Sequence, residues 1–411
     1  MSSLLIDALV AAQTLGLLAL GIRLWPGRTR LPPVPPHPAE IGDTTVSVIV
    51  PTLNEAARIA PCLAGLRVQG RPLLEVLVVD SRSTDGTRDL VTAAAALDPR
   101  VRLLTDDPLP DGWVGKVWAL DHGLRAARGE WVLGIDADTD PAAGLVAGAV
   151  DAARSGGYAV VSFSPMFAGQ SALEQLIQPA LLVTLVYRGG AVGSEVDPER
   201  LLANGQCFLA RRETLLRHGG YAPARASFAD DVTLARHLAR RGEQVGFLDG
   251  SRLYRVRSYR SAGEMLREWG RSLDLHQATS ATRQWFDILH LVAVQALPVP
   301  VLLMLAIAAL TSGLSDSTKS LMLVNGALLG VRLLLLRPLS RSYERPGPMF
   351  WLSWLADPLA VARIVVSTLR RGRKWRGRSY RVRGRDASAL QSFADNDDVR
   401  SHGGDGVARR T

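Results

Sequence analysis

Short apolar runs alternate with longer mixed ones between residues 45 and 136, and this pattern limits the possible folds more than any other feature. The apolar runs are VSVIVP from Val46, LEVLVVD from Leu74, VRLLT from Val101 and WVLGID from Trp131. Continuously apolar strands separated by helices are typical of parallel strands that are buried on both faces. The pattern therefore predicts an α/β, doubly wound domain with a mostly parallel sheet.

Polar residues cluster where these predicted strands end. Asn54 and Glu55 follow the first strand, Asp80 ends the second, and Asp136 and Asp138 follow a later one. In open α/β sheets, ligands bind beyond the carboxyl ends of the strands. The sequence thus predicts a binding site at this edge of the sheet.

The stretch DADTD carries acids at alternate positions, Asp136, Asp138 and Asp140. Alternate residues of a strand point to one face, so three like charges would crowd together unless a cation or ligand offsets them. Asp140 precedes Pro141 and is interpreted as a turn or helix-start residue rather than a third ligand.

Glycine-rich phosphate loops are missing from the sequence. No G-x-G-x-x-G follows the first apolar run, and no G-x-x-x-x-G-K-[ST] occurs anywhere, so dinucleotide and P-loop sites lose their main support. Carboxylates repel a diphosphate, but they can hold one through a divalent cation that takes oxygen ligands from both partners. The acids at the ends of the predicted strands therefore predict that a diphosphate is bound there through a divalent metal ion.

Long apolar runs lie at both ends of the chain. The run from Leu4 to Trp25 has about the length that spans a bilayer. Runs at 288–310 and 321–336, separated by the polar link TSGLSDSTKS, predict a hairpin that crosses out and back. Arg332, near the exit of the second run, is expected to snorkel to the interface.

Basic residues set the expected orientation of these segments. Arg23, Arg28 and Arg30 lie at or beyond the end of the first run, which places the following domain in the cytoplasm. No basic residue precedes that run and no A-x-A site is evident, so a removable signal peptide is not expected. The proline-rich stretch at 31–40 is interpreted as a stiff spacer.

A third apolar segment, 349–369, contains two charged residues and a proline. An interfacial helix is favoured over a full span, because a span would place the basic tail outside. Nine of the sixteen residues from 370 to 385 are Arg or Lys, as expected of a segment attracted to anionic lipid. Residues 386–411 are polar and are predicted to be disordered.

The formal charge of +9 and the pI near 10.1 are compatible with a protein that binds nucleic acid. However, no zinc-knuckle spacing, helix-turn-helix cue or aromatic RNA-binding strand is present, so a membrane surface is the favoured partner. The only cysteines, Cys62 and Cys207, argue against a disulfide scaffold and suggest a reducing compartment and core packing.

An ordered set of motifs resembles the family-2 glycosyltransferases with the GT-A fold. The set is PTLNE at 51–55, DSRSTDGT at 80–87, WVGK at 113–116, DADTD at 136–140, NGQCFLARRETLLRHGGY at 204–221 and ADD at 229–231. The WVGK element, the two-segment carboxyl-terminal hairpin and the closing KWRGRSY resemble membrane-bound bacterial enzymes that glycosylate carotenoids or hopanoid-type lipids.

The resemblance, with the apolar runs, implies the following organisation: an anchor at 1–30, a linker at 31–44, a GT-A catalytic domain with a mostly parallel, Rossmann-like sheet at 45–260, an interfacial region at 261–285, a transmembrane hairpin at 286–337, an interfacial or transmembrane segment with a basic tail at 338–385, and a disordered tail at 386–411.

The resemblance also implies the donor side of the site. Asp138 would ligate Mg²⁺ or Mn²⁺. The residues implied in binding the nucleotide sugar are Pro51, Asn54, Glu55, Asp80, Lys116 and Asp136. Purely structural explanations remain open for two of these places. Asp85 and Gly86 are also explained as a turn that starts a helix, and Lys116 as a solvated surface residue.

Asp231 is the implied general base, since a carboxylate can take the proton of an attacking hydroxyl. The competing interpretation is that Asp230 or Asp231 caps the helix that follows. Residues assigned to the acceptor side are Asn204, Gly205, Gln206, Asp230, Trp269 and Arg271.

One departure concerns the Q-x-x-R-W motif of processive synthases, where this chain reads MLREWGRSL at 265–273. Transfer of a single sugar is therefore expected. The resemblance implies an inverting, metal-dependent enzyme of the inner membrane that moves a hexose, with UDP-glucose as the favoured donor, to a lipophilic acceptor such as a carotenoid. The alternative is a polyprenyl phosphate or another membrane lipid such as a hopanoid or glycolipid.

Overall fold

The alternating runs form the central sheet of the computed structural model, which describes residues 3–37, 42–169, 171–193, 197–257, 261–273, 275–311, 313–369, 374–375 and 378–379. The strands are β1 Val46–Thr52, β2 Leu73–Asp80, β3 Val101–Thr105, β4 Trp131–Ile135, β5 Thr139–Pro141, β6 Val160–Ser164, β7 Met166–Phe167, β8 Cys207–Arg211, β9 Val245–Asp249, β10 Tyr254–Val256, β11 Lys374–Trp375 and β12 Arg378–Ser379.

The helices fall into the catalytic region and the regions that flank it. They are α1 Ser3–Leu24, α2 Ile59–Arg67, α3 Thr87–Leu97, α4 Gly115–Ala126, α5 Leu145–Ser155, α6 Ala172–Gly189, α7 Arg212–Arg217, α8 Asp230–Arg240, α9 Ala262–Ser272, α10 Ala281–Leu291, α11 Pro298–Thr311, α12 Asp316–Leu334, α13 Leu336–Ser340, α14 Pro348–Trp351 and α15 Asp357–Leu369. Residues 1–372 cluster as one compact unit, and residues 373–411 form a second, in which β11 and β12 pair antiparallel.

The main sheet has seven strands in the order β3-β2-β1-β4-β8-β6-β9. Strand β8 runs antiparallel to both of its neighbours, and the other pairs are parallel. Val48 and Val50 of β1 face one buried core cluster, while Ile49 faces the cluster on the opposite side. Because the strands are covered on both faces, their sequences are continuously apolar. The predicted α/β domain with a mostly parallel sheet is confirmed.

A buried carboxylate on β2 joins the sheet to the turn that precedes β4. Glu75 accepts hydrogen bonds from Ser47 Oγ at 2.8 Å, from the Arg128 amide at 2.9 Å and from Arg102 Nη1 at 2.9 Å. Burial opposes ionisation, but these donors together lower the pKa of Glu75 below its usual range. The ionised form is therefore the one that the fold stabilises.

Glu75→Gln is expected to lower the free energy of unfolding by about 1.5–3 kcal/mol, because charged hydrogen bonds are lost in a buried site. A folded-state pKa below the unfolded one stabilises the protein above the unfolded value, and that stability is lost as the pH falls through the acidic range. Thermal unfolding between pH 3.5 and 7 should show a steeper acid loss for the wild type than for the variant. Glu213→Gln, whose side chain is 87% exposed, is the control and should change little.

The proline-rich stretch, interpreted above as a stiff spacer, packs against the catalytic region. Its backbone amides donate to the catalytic region: Val34 to Asp249 O at 2.8 Å and His37 to Gly144 O at 3.0 Å. Val34 is also buried in the core cluster beneath the sheet. Residues 31–37 therefore lie along the domain, because hydrogen bonds and apolar burial hold them there.

Two helices of the described chain are long and apolar enough to cross a membrane, Ser3–Arg28 and Asp316–Ser340. The first arm of the predicted hairpin is bent by 42° between Ala281–Ala296 and Pro298–Thr311, and this pair forms a third candidate if it is one span. A π-helical turn at Val292–Ala296 and the prolines that follow explain the bend.

Arg332 does not snorkel, contrary to expectation. Its side chain is 3% exposed and forms a buried ion pair with Asp357 at 2.8 Å, supported by Ser353 Oγ at 3.2 Å. A guanidinium inside an apolar helix cluster needs a partner of opposite charge, and Asp357, from the third apolar segment, supplies it.

That third segment forms two helices, α14 and α15, of 4 and 13 residues, with a 3₁₀ turn at Ser353–Ala356 between them. Its interfacial placement stays a prediction. Most of the basic cluster at 370–385 and the whole tail at 386–411 lie outside the described residues. Cys62 and Cys207 are buried free thiols in the core, as predicted.

Candidate active site

Four loops meet at the carboxyl edge of the central strands. Thr52, at the end of β1, is in register with Asp80, at the end of β2, and β4 lies on the other side of β1. Since β8 is antiparallel to β4, its first residue Cys207 pairs with Ile135, the last residue of β4. The loop before β8 therefore reaches the same edge as the acids after β4, and the Asp136 amide donates to Gln206 O at 3.2 Å.

The loops after β1 and β2 hold each other. Asn54, in the left-handed conformation at φ 57°, donates its amide to Ser83 Oγ at 2.8 Å and accepts the Thr84 amide at 2.9 Å. Glu55 is buried and its amide donates to Thr87 Oγ1 at 2.9 Å. Pro51 lies within β1, half-buried, one residue before the end of that strand.

Asp85 and Asp80 both act within this loop pair. Asp85 accepts the amides of Thr87, at the start of α3, and of Ala56, so it orders the turn and the helix start. Asp80 is fully buried, and its carboxylate accepts from Thr52 Oγ1 at 3.2 Å and from Arg88 Nη1 at 3.1 Å. In this conformation Asp80 orders the loop, and its contact with a nucleotide stays a prediction.

The acids after β4 differ in their surroundings. Asp136 is partly exposed and forms an ion pair with Lys116 at 2.7 Å. Oδ1 of Asp138 is inaccessible and has no hydrogen-bond partner within the described chain. Burial, and then the charge of Asp136, raise the pKa of Asp138 to about 7. Asp138 thus has a buried carboxylate oxygen that no donor of the described chain satisfies.

Asp140 is neither a third ligand nor a turn or helix-start residue. It lies in strand β5, opposite Arg255 of β10, and the two side chains form an ion pair. Asp140 therefore belongs to the small sheet β5-β10-β7, where a cation already neutralises its charge.

Lys116, in the first turn of α4, is not a solvated surface residue. Its side chain is 17% exposed, and besides Asp136 it faces the charges of Asp230 and Asp231. Burial alone would lower its pKa, but these carboxylates raise it above the usual range. Lys116 is therefore a fixed cation in the centre of the site.

Asp230 and Asp231 open helix α8 but do not cap it, because the N-cap residue is Ala229 and has no side-chain capping bond. Asp231 accepts the Gly205 amide at 2.6 Å and the Val232 amide at 2.8 Å. Burial raises the pKa of both acids, that of Asp230 to about 7, against the opposing charge of Lys116. A carboxylate with a raised pKa is suited to accept a proton near neutral pH.

The loop before β8 is held by its own hydrogen bonds. The Gln206 amide donates to Asn204 Oδ1 at 3.0 Å, and the Asn204 amide donates to Ser162 Oγ at 2.6 Å. Gly205 lies between them, and a Cβ there would come within 3.3 Å of Lys116 Nζ and 3.4 Å of Asp231 Cβ. A Cβ at this position would therefore require Lys116 Nζ to shift by a few tenths of an ångström.

Gly205→Ala is expected to lower kcat at least about tenfold, because a displacement of Lys116 or Asp231 by a fraction of an ångström misaligns the site. Unfolding temperature should stay close to that of the wild type. Gly70→Ala is the matched control, since a Cβ at Gly70 meets nothing within 4 Å. Equal activity of the two variants would show that the loop accommodates a Cβ at position 205 without disturbing the site.

Two of the residues assigned to the acceptor side, Trp269 and Arg271, are not placed in this cluster. Trp269 packs edge to face on Phe167, with ring centroids 5.9 Å apart. The side chain of Arg271 is outside the described part of the chain. Their acceptor roles stay predictions.

Sequence reasoning missed two arginines. The positive charge of Arg58 acts on Asp138 and opposes the rise of its pKa that burial causes, and Arg58 also pairs with Glu55 at 3.4 Å. Arg88 pairs with Asp80, as described above. The only sequence signal was their position within the first turns after two polar loops, which many surface arginines share.

Asp136 and Asp138 are the two acids after β4 that would hold one divalent cation. Throughout the described residues, no three histidine, cysteine or acidic side chains converge on one point. An ion held by one or two carboxylates would take its other ligands from water and substrate phosphates, which is the usual habit of Mg²⁺. The unpartnered Oδ1 of Asp138 supplies the oxygen that such an ion needs.

Comparisons with known proteins agree with this chemistry. The model of the family "Glycosyl transferase family 2" matches residues 47–215. An N-acetylglucosaminyltransferase of Bradyrhizobium sp. is 37% identical over 116 residues, which cover 27% of this chain and 72% of that protein. A dolichyl-phosphate β-glucosyltransferase of Trichomonas vaginalis is 36% identical over 109 residues, 25% of this chain and 28% of that protein.

A solved structure extends the likeness beyond the catalytic region. The mannosyltransferase PcManGT of Pyrobaculum calidifontis, in complex with GDP-Man and Mn²⁺, superimposes with a TM-score of 0.58 at 25% identity, covering 89% of this chain and 99% of that one. Six other curated relatives are matched over only 21% to 35% of their own length.

Proposed function

The chain belongs to glycosyl transferase family 2, and from that premise we propose that it transfers one hexose from a nucleoside-diphosphate sugar to a lipophilic acceptor at the cytoplasmic face of the inner membrane. Its class, a glycosyltransferase with a GT-A fold, follows from the family match and the structural neighbour. The single hexose, the inversion at the anomeric carbon, the acceptor and the membrane face are parts of the proposal.

The observation that carries the proposal is the arrangement around Gly205. Asp231 accepts the Gly205 amide, which keeps its carboxylate fixed, while Lys116 is anchored on Asp136 and lies near the same glycine. Asp231 can take the proton of an acceptor hydroxyl as the oxygen attacks. Lys116 can donate to a phosphate oxygen of the donor.

Asp138, with Asp136 beside it, would hold Mg²⁺ or Mn²⁺. Such an ion, when bound, supplies positive charge that offsets the charge developing on the departing diphosphate. The structural neighbour was solved with Mn²⁺ and GDP-Man, which supports a divalent ion in this fold. Among donors we favour UDP-glucose, and GDP-mannose is the first competitor to test.

A lipophilic acceptor is supported by the helices that flank the catalytic domain. Two or three of them can cross a membrane by length and composition, and many of their large apolar side chains are exposed, among them Leu18, Leu303 and Leu323. A membrane position would bring an apolar acceptor, for which we favour a carotenoid, to a site that otherwise faces water.

A polyprenyl phosphate is the second candidate acceptor. The observation in its favour is the likeness to the dolichyl-phosphate β-glucosyltransferase of Trichomonas vaginalis. A phosphate acceptor is already ionised and needs no base, so this function would not depend on Asp231.

The test incubates membranes that contain the full chain with labelled UDP-glucose, GDP-mannose or UDP-N-acetylglucosamine and with Mn²⁺ or Mg²⁺. Labelled lipid is then identified by mass spectrometry. We expect one donor to label one lipid with a single hexose, and no labelling by membranes that contain Asp138→Asn. Failure of every donor to label any lipid would contradict the proposal, and attachment of a sugar chain would contradict single transfer.

A further inference from the structure

A cavity of about 430 Å³ lies between the last turn of α1 and the first turn of α10. Three arginines line it, Arg23, Arg200 and Arg283, together with Asp197 and Asp287. None of the acids of the candidate active site is among its lining residues. The cavity is therefore separate from the candidate active site, and arginines are the most numerous charged residues in its lining.

The arginines keep most of their hydrogen-bonding capacity unused. Arg23 donates Nη1 to Tyr187 O at 2.8 Å, but its Nε is buried without a partner in the described chain. The described residues give the Arg200 guanidinium no hydrogen bond or ion pair, and Arg283 meets Glu199 at only 3.6 Å. The three guanidinium groups outnumber the two carboxylates that line the cavity, so an anion between the arginines is favoured. Phosphate oxygens match their forked donors.

The start of α10 adds to this preference. Ser280 caps the helix by accepting the Arg283 amide at 3.4 Å, and the side chains of Ser280 and Thr282 line the cavity. The positive end of an eleven-residue helix favours an anion in the same place as the arginines do. The helix end and the unused guanidinium donors are independent observations that indicate one ligand chemistry.

The position of the cavity indicates where the phosphate comes from. Arg23 lies near the end of the candidate span Ser3–Arg28, and α10 opens the bent helix pair. Phe286 lines the cavity and is exposed, and so are Ile22 and Leu289, large apolar side chains on the two helices that border it. A free phosphate would gain nothing from these side chains, whereas the acyl chains of a lipid would cover them.

We propose that this cavity binds the phosphodiester headgroup of an anionic membrane lipid, with its acyl chains against Phe286 and Leu289. Arg200 and Arg283 contact the phosphate, together with the Nε of Arg23. Asp197 and Asp287 accept hydrogen bonds from hydroxyl groups of the headgroup, so phosphatidylglycerol is a suitable probe and phosphatidylcholine, which has no headgroup donor, is not.

The test uses the full chain purified in mild detergent. Native mass spectrometry counts retained lipid, and the unfolding temperature is followed as phosphatidylglycerol or phosphatidylcholine is added. We expect one tightly retained phosphatidylglycerol and stabilisation by this lipid only. Arg200→Gln should weaken that binding at least about tenfold, since a hydrogen bond between charged groups is lost. Because the Arg200 side chain has no partner in the described chain, this variant should fold normally.

Arg337→Gln is the matched control, since Arg337 is exposed near the end of the other candidate span and lies outside the cavity. It should bind phosphatidylglycerol as the wild type does. Equal weakening by both variants would overturn the proposal in favour of a diffuse charge effect. Stabilisation by inorganic phosphate as strong as by the lipid would overturn the lipid assignment. Both measurements are independent of glycosyl transfer, so they stand whether or not the proposed reaction does.

Discussion

Asp138→Asn is expected to lower kcat/KM at least about a thousandfold, because the ion that it would hold stabilises the leaving diphosphate by several kcal/mol. Binding of Mn²⁺ together with the nucleoside diphosphate, measured by calorimetry, should be lost as well. Without metal the variant should unfold at a higher temperature than the wild type. The reason is that an amide replaces a buried carboxylate whose Oδ1 has no partner and which faces Asp136.

Asp140→Asn is the matched control, two residues along the chain. Asp140 pairs with Arg255 on the outside of the small sheet, so its loss should leave metal-dependent activity within a few-fold of the wild type. Two results would contradict the assignment of Asp138: full activity of Asp138→Asn, or an equal loss in both variants.

Asp231→Asn is expected to lower kcat by about 10²–10⁴-fold, the range that general-base catalysis contributes. Binding of the donor should change little, because Asp231 contacts the Gly205 loop and the start of α8 rather than Asp136 or Asp138. A fall in kcat with an almost constant donor KM is the signature to measure. The pH–rate profile should also lose its acidic limb, since the group that must be deprotonated is gone.

Asp89→Asn controls for the loss of an acid in the first turn of a helix. Asp89 is exposed in α3, and removing it weakens only the interaction with the helix dipole. If Asp231→Asn keeps nearly full activity, Asp231 is not a base. The acceptor would then be a group that is already ionised, as in the polyprenyl-phosphate alternative.

The sequence by itself determined the sheet and the edge at which the site lies. Valine-rich runs between helices require parallel strands buried on both faces, and the polar residues after those runs must then meet at the carboxyl edge. Periodicity and strand ends are local properties, so they can be read from neighbouring residues. The apolar lengths of the candidate spans Ser3–Arg28 and Asp316–Ser340 are local in the same way.

The tertiary structure alone decided which charges are paired. Asp140 and Asp138 look alike in DADTD, yet Asp140 meets Arg255 across a small sheet, while Oδ1 of Asp138 is buried without a hydrogen-bond partner in the described chain. The sequence predicted that the Arg332 side chain reaches the membrane interface. In the fold it instead pairs with the buried Asp357, 25 positions later in the chain.

The physical reason is that pairing depends on contacts between distant segments, which a local pattern does not specify. Strand β8 shows this most clearly, because its antiparallel direction brings the Asn204–Gln206 loop onto Asp136 and places the Gly205 amide on Asp231. A parallel β8 would have carried that loop to the opposite edge of the sheet. The residues of the candidate site were readable in the sequence, but their assembly around Lys116 required the fold.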